Sequence, residues 1–292
     1  MKDYYRWTKI RNGESEPSET YTTTDQVNET IRYIEEKKDK PWFVWVGFNA
    51  PHTPFHNPPK DLHTYPKFAT GAKSGRGDIV EGSQRGSYEA SLQALDSEIG
   101  RLLAAVDLDK TTIILIGDNG TPGFVAQKPL SRKTAKGSLR QGGTHVPFII
   151  AGPDVSEGAV SGELVHCVDL FETILGLCGV ESAKVLPEKL EVDSLSLLPI
   201  VKGEELADRY ILSEIFGSDK KEPGRAVVSS KYPEYRLVAY TSSKDQSQIT
   251  SSELYTVSSK DLLEEEVKVP KAKSEKHYEV YHELLSILEK TN

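Results

Sequence analysis

The chain has 292 residues, of which 37% are hydrophobic and 27% charged, so it can bury a core and is not disordered by composition. No apolar run approaches the about 18–20 residues that a membrane helix needs, which excludes a helical span. Lys and Arg number 36 against 44 Asp and Glu, a net charge of −8, and this argues against a general nucleic-acid binder.

The first residues, Met1-Lys-Asp-Tyr-Tyr-Arg6, show no apolar segment of a secretory signal and offer no leading strand, so the start is abrupt. Thr24 and Asp25 can cap a helix that carries Val27, Ile31 and Ile34 on one face and ends at Lys37–Lys40. Trp42–Phe48 is a continuous apolar run of strand length, which predicts a strand buried on both faces. Residues 57–83 are rich in Pro, Gly and Ser and read as a long surface loop. Tyr88, Leu92, Leu95, Ile99, Leu102 and Val106 recur at helical spacing. Thr111–Ile116 and His145–Ile150 read as two more strands, and Val165–Leu177 as a helix. Cys167 and Cys178 are too few for a disulfide scaffold. Along one helix they would stand about 16 Å apart, too far to bridge, so both read as small core residues.

Strands alternating with helices over 1–204 predict an α/β domain with a mostly parallel sheet sandwiched by helices. The pattern changes over 205–292. Tyr210–Phe216, Arg225–Ser229 and Tyr235–Thr241 are short strands, with a hairpin connection at Lys231–Glu234. Gln248–Val257 adds an edge strand, Lys268–Lys276 is charged and exposed, and Val280, Leu284, Ile287 and Leu288 mark a last amphipathic helix. This predicts a small antiparallel sheet with one helix.

Polar clusters adjoin the three predicted strands. Asn49–His56 follows the first, Gly117-Asp118-Asn119-Gly120 follows the second, and Lys136–Gly143 precedes the third. Open α/β sheets bind ligands outside the carboxyl ends of their strands. Asp118 and Asn119 offer hard oxygen donors suited to Ca²⁺ or Mg²⁺; the same residues also make a common turn. From Asn119 to His145 the chain carries Lys128, Arg132, Lys133, Lys136 and Arg140 and neither Asp nor Glu. Such a segment suits an oxyanion, or it is a solvated surface loop. His52 lies between Pro51 and Pro54, whose rings stiffen the turn, so it reads either as a general acid or as a structural histidine. His56, His63, His166, His277 and His282 read as surface or packing residues, and His145 is open.

Together these segments resemble the sulfatase family of the alkaline-phosphatase-like superfamily. The matching pieces are Phe48–Phe55, Tyr88–Leu103, Ile116–Gly120, Lys136–Gly143 with His145-Val-Pro147, and Val168–Thr173, with a weaker match at Glu253-Leu-Tyr255. The resemblance implies sulfate-ester hydrolysis, with Asp118 and Asn119 as Ca²⁺ ligands, His52 as the acid at the leaving oxygen, and Lys136, joined by Arg140, on the sulfate. It implies a sulfated small molecule or glycan as substrate, and a periplasmic, secreted or lysosomal setting. The family's nucleophile comes from a Cys/Ser-x-Pro-x-Arg signature. The nearest string here, Ser15-Glu-Pro-Ser-Glu19, ends in Glu. The family's early Asp-Asp metal pair is also absent. The expectation is therefore an N-terminally truncated catalytic domain, inactive alone, with a complementing N-terminal polypeptide as a partner. The alternatives are a non-catalytic binding module that keeps the fold and a phosphoryl-transfer relative.

Overall fold

A computed structural model describes residues 3–37, 39–65, 84–217, 222–245, 247–258, 263–267 and 275–291. Most of the expected 57–83 loop and of the charged 268–276 stretch lies outside them. The chain divides into two units, Met1–Thr111 and Thr112–Asn292.

The first unit opens with a hairpin that the sequence reading did not anticipate. Strands β1 (Trp7–Arg11) and β2 (Glu14–Ser18) pair antiparallel, with Arg11 opposite Glu14. Asn12 and Gly13 make the connection with φ of 50° and 91°. Two successive positive φ angles are what a tight two-residue hairpin turn needs, and Asn-Gly supplies them at low cost. Helix α1 (Thr22–Lys37) follows and begins earlier than its expected cap. Lys9 ties the hairpin to it, with Nζ 3.1 Å from an Asp25 carboxylate oxygen and 3.0 Å from Glu29 Oε1.

Residues 42–48 join no ladder among the described residues, and their exposure alternates. Phe43 and Trp45 are 54% and 68% exposed, while Trp42, Val44 and Val46 are half-buried. The expectation of a strand buried on both faces is corrected: a period of two puts every second side chain outward when only one side is packed. Helix α2 (Gln84–Leu103) also turns differently from expectation. Its buried stripe is Ser87, Ala90, Ser91, Ala94 and Glu98, and Leu92 faces outward. Small side chains in that stripe let α2 approach α1 closely, so size rather than hydrophobicity selects the inner face. Buried Glu98 is satisfied by Thr24 Oγ1 at 2.5 Å and by Arg101 Nε and Nη2 at 2.9 and 2.6 Å.

In the second unit, β3 (Ile113–Ile116) pairs antiparallel with β4 (Phe148–Ala151), and the chain between them includes the short helix α3 (Gln141–Thr144). Helices α4 (Leu170–Leu177), α5 (Ser182–Val185) and α6 (Leu198–Val201) follow. Cys167 and Cys178 flank α4 and are both exposed, which corrects their reading as core residues. The stripe that α4 buries is set by Leu170 and Thr173 instead.

The expected antiparallel sheet has five strands in sequential order: β5 (Tyr210–Ile215), β6 (Gly224–Ser229), β7 (Tyr235–Thr241), β8 (Ile249–Val257) and β9 (Glu264–Val267). β8 is therefore interior and β9 forms that edge. Strand alternation splits the sheet residues between two faces. Val227, Leu237, Ala239 and Leu254 pack on helix α7 (Glu275–Lys290) through Val280, Leu284 and Leu288. Ala226, Val238 and Tyr255 face the other way and pack on Leu139, which belongs to the segment singled out for anion binding.

Candidate active site

His52 is exposed, and the first unit fixes its surroundings rather than its pocket. Its backbone N–H donates to Asn49 O at 2.9 Å, closing a turn. The Tyr4 hydroxyl reaches Asn49 O at 2.6 Å and His52 O at 2.8 Å, so a buried phenol holds both ends of that turn. The imidazole Nδ1 lies 2.8 Å from Thr53 O. A carbonyl only accepts, so Nδ1 is the donor and Nε2 is the nitrogen left to meet a ligand.

Beneath the turn lies a buried aromatic cluster that the sequence reading missed. His56 stacks on Tyr4 with ring centroids 3.7 Å apart. Its Nδ1 lies 3.3 Å from Pro54 O and its Nε2 lies 2.9 Å from the Tyr21 hydroxyl. Burial pushes the His56 pKa down to about 4, with the Pro54 carbonyl opposing, so the ring is neutral. Burial likewise raises Tyr4 and Tyr21 above the usual phenol range. His56 is thus a packing residue, as expected for it.

In the second unit Asp118 is exposed and Asn119 half-buried at the end of β3. Lys136 and its neighbours are brought against the chain that follows Asn119. Gly120 N–H donates to Gly143 O at 3.1 Å, and Lys136 N–H donates to Thr121 O at 3.0 Å. The approach is so close that a Cβ on Gly120 would stand 1.8 Å from Gly142 O. One on Gly142 would stand 2.4 Å from Thr134 O, which explains why this stretch is glycine-rich. Lys128, Arg132 and Lys133 are exposed.

Arg140 has a different environment from an open anion contact. Its Nε donates to Glu264 Oε2 at 2.8 Å, and its guanidinium lies over the Tyr255 ring at 3.4 Å. Glu264 Oε1 also accepts from Gln141 N–H at 2.9 Å. Arg236 reaches the same segment, with Nη1 donating to Leu139 O at 2.8 Å and to Thr144 Oγ1 at 2.6 Å. Its burial pulls the Arg236 guanidinium below the usual range, with Glu264 opposing. His145 lies beside this contact, Nδ1 3.0 Å from Gln141 Oε1, and precedes β4 rather than starting it.

As a cation site, Asp118 and Asn119 fit a hard metal in donor type and supply two of the about 6–8 oxygens that Ca²⁺ takes. Among the described residues there is no group of three or more His, Cys, Asp or Glu able to hold a metal.

A family model described as Sulfatase matches residues 2–180. The chain belongs to the sulfatase family. It is 27% identical over 211 residues to the uncharacterized sulfatase YdeN of Escherichia coli strain K12, covering 69% of this chain and 34% of that protein. To human N-acetylgalactosamine-6-sulfatase it is 28% identical over 205 residues, covering 64% and 35%. The chain thus spans about a third of the length of these curated relatives. Among solved structures it superposes on Ps i-CgsB in complex with k-i-k-neocarrahexaose with a TM-score of 0.72 and 23% identity, over 96% of this chain and 56% of that one. The putative sulfatase yidJ from Bacteroides fragilis gives 0.72 with 18% identity, over 99% and 64%. These likenesses establish the alkaline-phosphatase-like sulfatase fold. No helix among the described residues is long and apolar enough to cross a membrane.

Proposed function

We propose that this sulfatase-family chain carries the anion-stabilising part of a sulfate-ester hydrolase. The supporting observation is the pair of backbone bonds, Gly120 N–H to Gly143 O and Lys136 N–H to Thr121 O, that lay the Lys136 segment along the loop after Asp118 and Asn119. A carboxylate, an amide oxygen and an ammonium group carried on two laced loops suit a metal-assisted oxyanion site.

In this proposal Asp118 and Asn119 hold Ca²⁺, or Mg²⁺ in its place. The bound cation would supply charge neutralisation at the sulfate oxygens. Lys136 donates to a non-bridging sulfate oxygen and holds the ester in place. His52, carrying a proton on each ring nitrogen, gives the one on Nε2 to the leaving oxygen, and the Thr53 carbonyl keeps the ring turned for it. Arg140 supports the Lys136 segment through Glu264 and Tyr255. The substrate is a sulfated small molecule or glycan. No residue among these 292 is assigned as the nucleophile, and hydrolysis by these residues alone is expected to be absent.

Calorimetric titration of inorganic sulfate, with and without Ca²⁺, tests the proposal. Binding should require Ca²⁺, should weaken about tenfold or more in Lys136→Ala, and should lose its metal dependence in Asp118→Ala. Sulfate binding that ignores all three changes, or no sulfate binding at any Ca²⁺ concentration, would overturn it. Turnover of an aryl sulfate by the purified chain at rates typical of the family would refute the expected inactivity.

A further inference from the structure

Glu264 stands on the edge strand of the C-terminal sheet, far along the sequence from Lys136, yet its side chain is only 4% exposed. Both of its oxygens serve the Lys136 segment. Oε2 takes the Arg140 Nε–H at 2.8 Å, and Oε1 takes the Gln141 backbone N–H at 2.9 Å. Gln141 returns the contact, its Nε2 donating to Ser258 O at 3.0 Å on the chain between β8 and β9. Arg236, 9% exposed in its side chain, holds the two ends of the same stretch through Leu139 O and Thr144 Oγ1. Its Nε finds no hydrogen-bond partner among the described residues and lies 3.6 Å from Glu264 Oε1. The register brings these groups to one face: Arg236 is opposite Tyr255, and Val257, two residues on, is opposite Glu264. The apolar contact of Leu139 with Ala226, Val238 and Tyr255 lies on that face too.

Gly143, inside the clamped stretch, carries the carbonyl that accepts from Gly120. Holding 139–144 against the sheet therefore holds the partner of the Asp118–Asn119 loop, and with it the chain that begins at Lys136. A carboxylate that bonds a backbone N–H and a guanidinium at once fixes both position and orientation, which a purely apolar contact would not.

We propose that Glu264 is a positioning residue: with Arg236 it clamps residues 139–144 and thereby sets where Lys136 stands relative to the Asp118–Asn119 loop. The naming of Lys136 as the group that meets the anion rests on the function proposed above; the clamp itself does not.

Amide hydrogen exchange on the full chain tests the clamp without any substrate. In Glu264→Gln, which keeps the shape and removes the charge, exchange at Gly120 and Lys136 should rise about tenfold or more, with the Val227 and Leu237 amides of the sheet left within about twofold. Unchanged exchange at Gly120 and Lys136 overturns the proposal. An equal rise at every amide also overturns it, because Glu264 would then serve general stability only. Should the variant not fold, the wild type decides: Gln141, Gly120 and Lys136 should open together under low denaturant, and independent opening of Gly120 and Lys136 from Gln141 overturns the clamp. In a variant with unchanged sheet protection, the Ca²⁺-dependent affinity for inorganic sulfate should also fall about tenfold. Failure of the wild type to bind sulfate would remove the role given to Lys136 and leave the exchange result to decide the clamp.

Discussion

Asp169 and Arg209 form a two-pronged ion pair, with Nη1 2.7 Å from Oδ2 and Nη2 3.0 Å from Oδ1. The carboxylate is fully buried and also accepts from the backbone N–H groups of His166 at 2.7 Å and Leu195 at 3.1 Å. The Val168–Thr173 motif, quoted above for its family resemblance, therefore ties three chain segments together. Removing one member of a buried, fully hydrogen-bonded pair leaves a charge without compensation. Arg209→Ala and Asp169→Asn are each expected to cost about 3–5 kcal/mol in unfolding free energy, measured by urea denaturation. A loss below about 1 kcal/mol in both would show that the pair is dispensable.

His56 gives a pH dependence with a defined sign. Its folded pKa is about 4, against an ordinary 6.5. Between these values the unfolded chain binds a proton that the folded chain refuses, so this contribution to stability rises with pH across that window. The full difference is about 3 kcal/mol, in place above pH 6.5 and lost as pH falls toward 4. The melting temperature should follow this slope in the wild type, and His56→Gln should flatten it. An identical slope in both proteins would assign the effect to other groups.

Gly120 tests how tightly the two loops of the candidate site are laced. A methyl group there meets Gly142 O at 1.8 Å, and the backbone must part to admit it. Gly120→Ala is expected to destabilise by roughly 2–3 kcal/mol, at the upper end of overpacking costs, and to abolish Ca²⁺-dependent sulfate binding. Normal sulfate affinity in this variant, read by calorimetry, would contradict the close approach.

Phe43 and Trp45 stand outward on a segment with no ladder partner among the described residues. Adjacent large apolar groups on an unpaired segment favour association with other chains. The purified chain is expected to self-associate with rising concentration, and Phe43→Ser with Trp45→Ser to suppress this in sedimentation velocity. Concentration-independent monomers in the wild type would count against a self-docking role for residues 42–48.

The sequence was most informative where local chemistry is strong. The short strands at Tyr210–Phe216, Arg225–Ser229 and Tyr235–Thr241 and the helical spacing of Val280, Leu284 and Leu288 predict a small sheet with one helix, and the structure has that helix on one face of the sheet. The sequence reading places Asp118-Asn119 and Lys136 in one neighbourhood; the structure shows the Lys136 backbone N–H donating to Thr121 O. Other features depend on partners far along the chain. Leu92 looked like a core residue by spacing, but α2 buries Ala90 and Ala94 because close helix approach demands small groups. Glu264 sits among Glu265 and Glu266, so nothing local distinguishes the one carboxylate that turns inward. The hairpin at Asn12-Gly13 was legible and was missed, because the charged residues around it gave no apolar alternation.

The tether between His52 Nδ1 and the Thr53 carbonyl has a consequence for traffic through the site. With one nitrogen spoken for, the ring cannot act as a relay that accepts hydrogen on one side and releases it on the other. In the proposed reaction, a proton given up at Nε2 would have to be replaced through the same atom, from water or product arriving by the route the substrate used. If the proposed reaction holds, reloading would wait until that route is clear, and departure of the product would be the event that resets the imidazole.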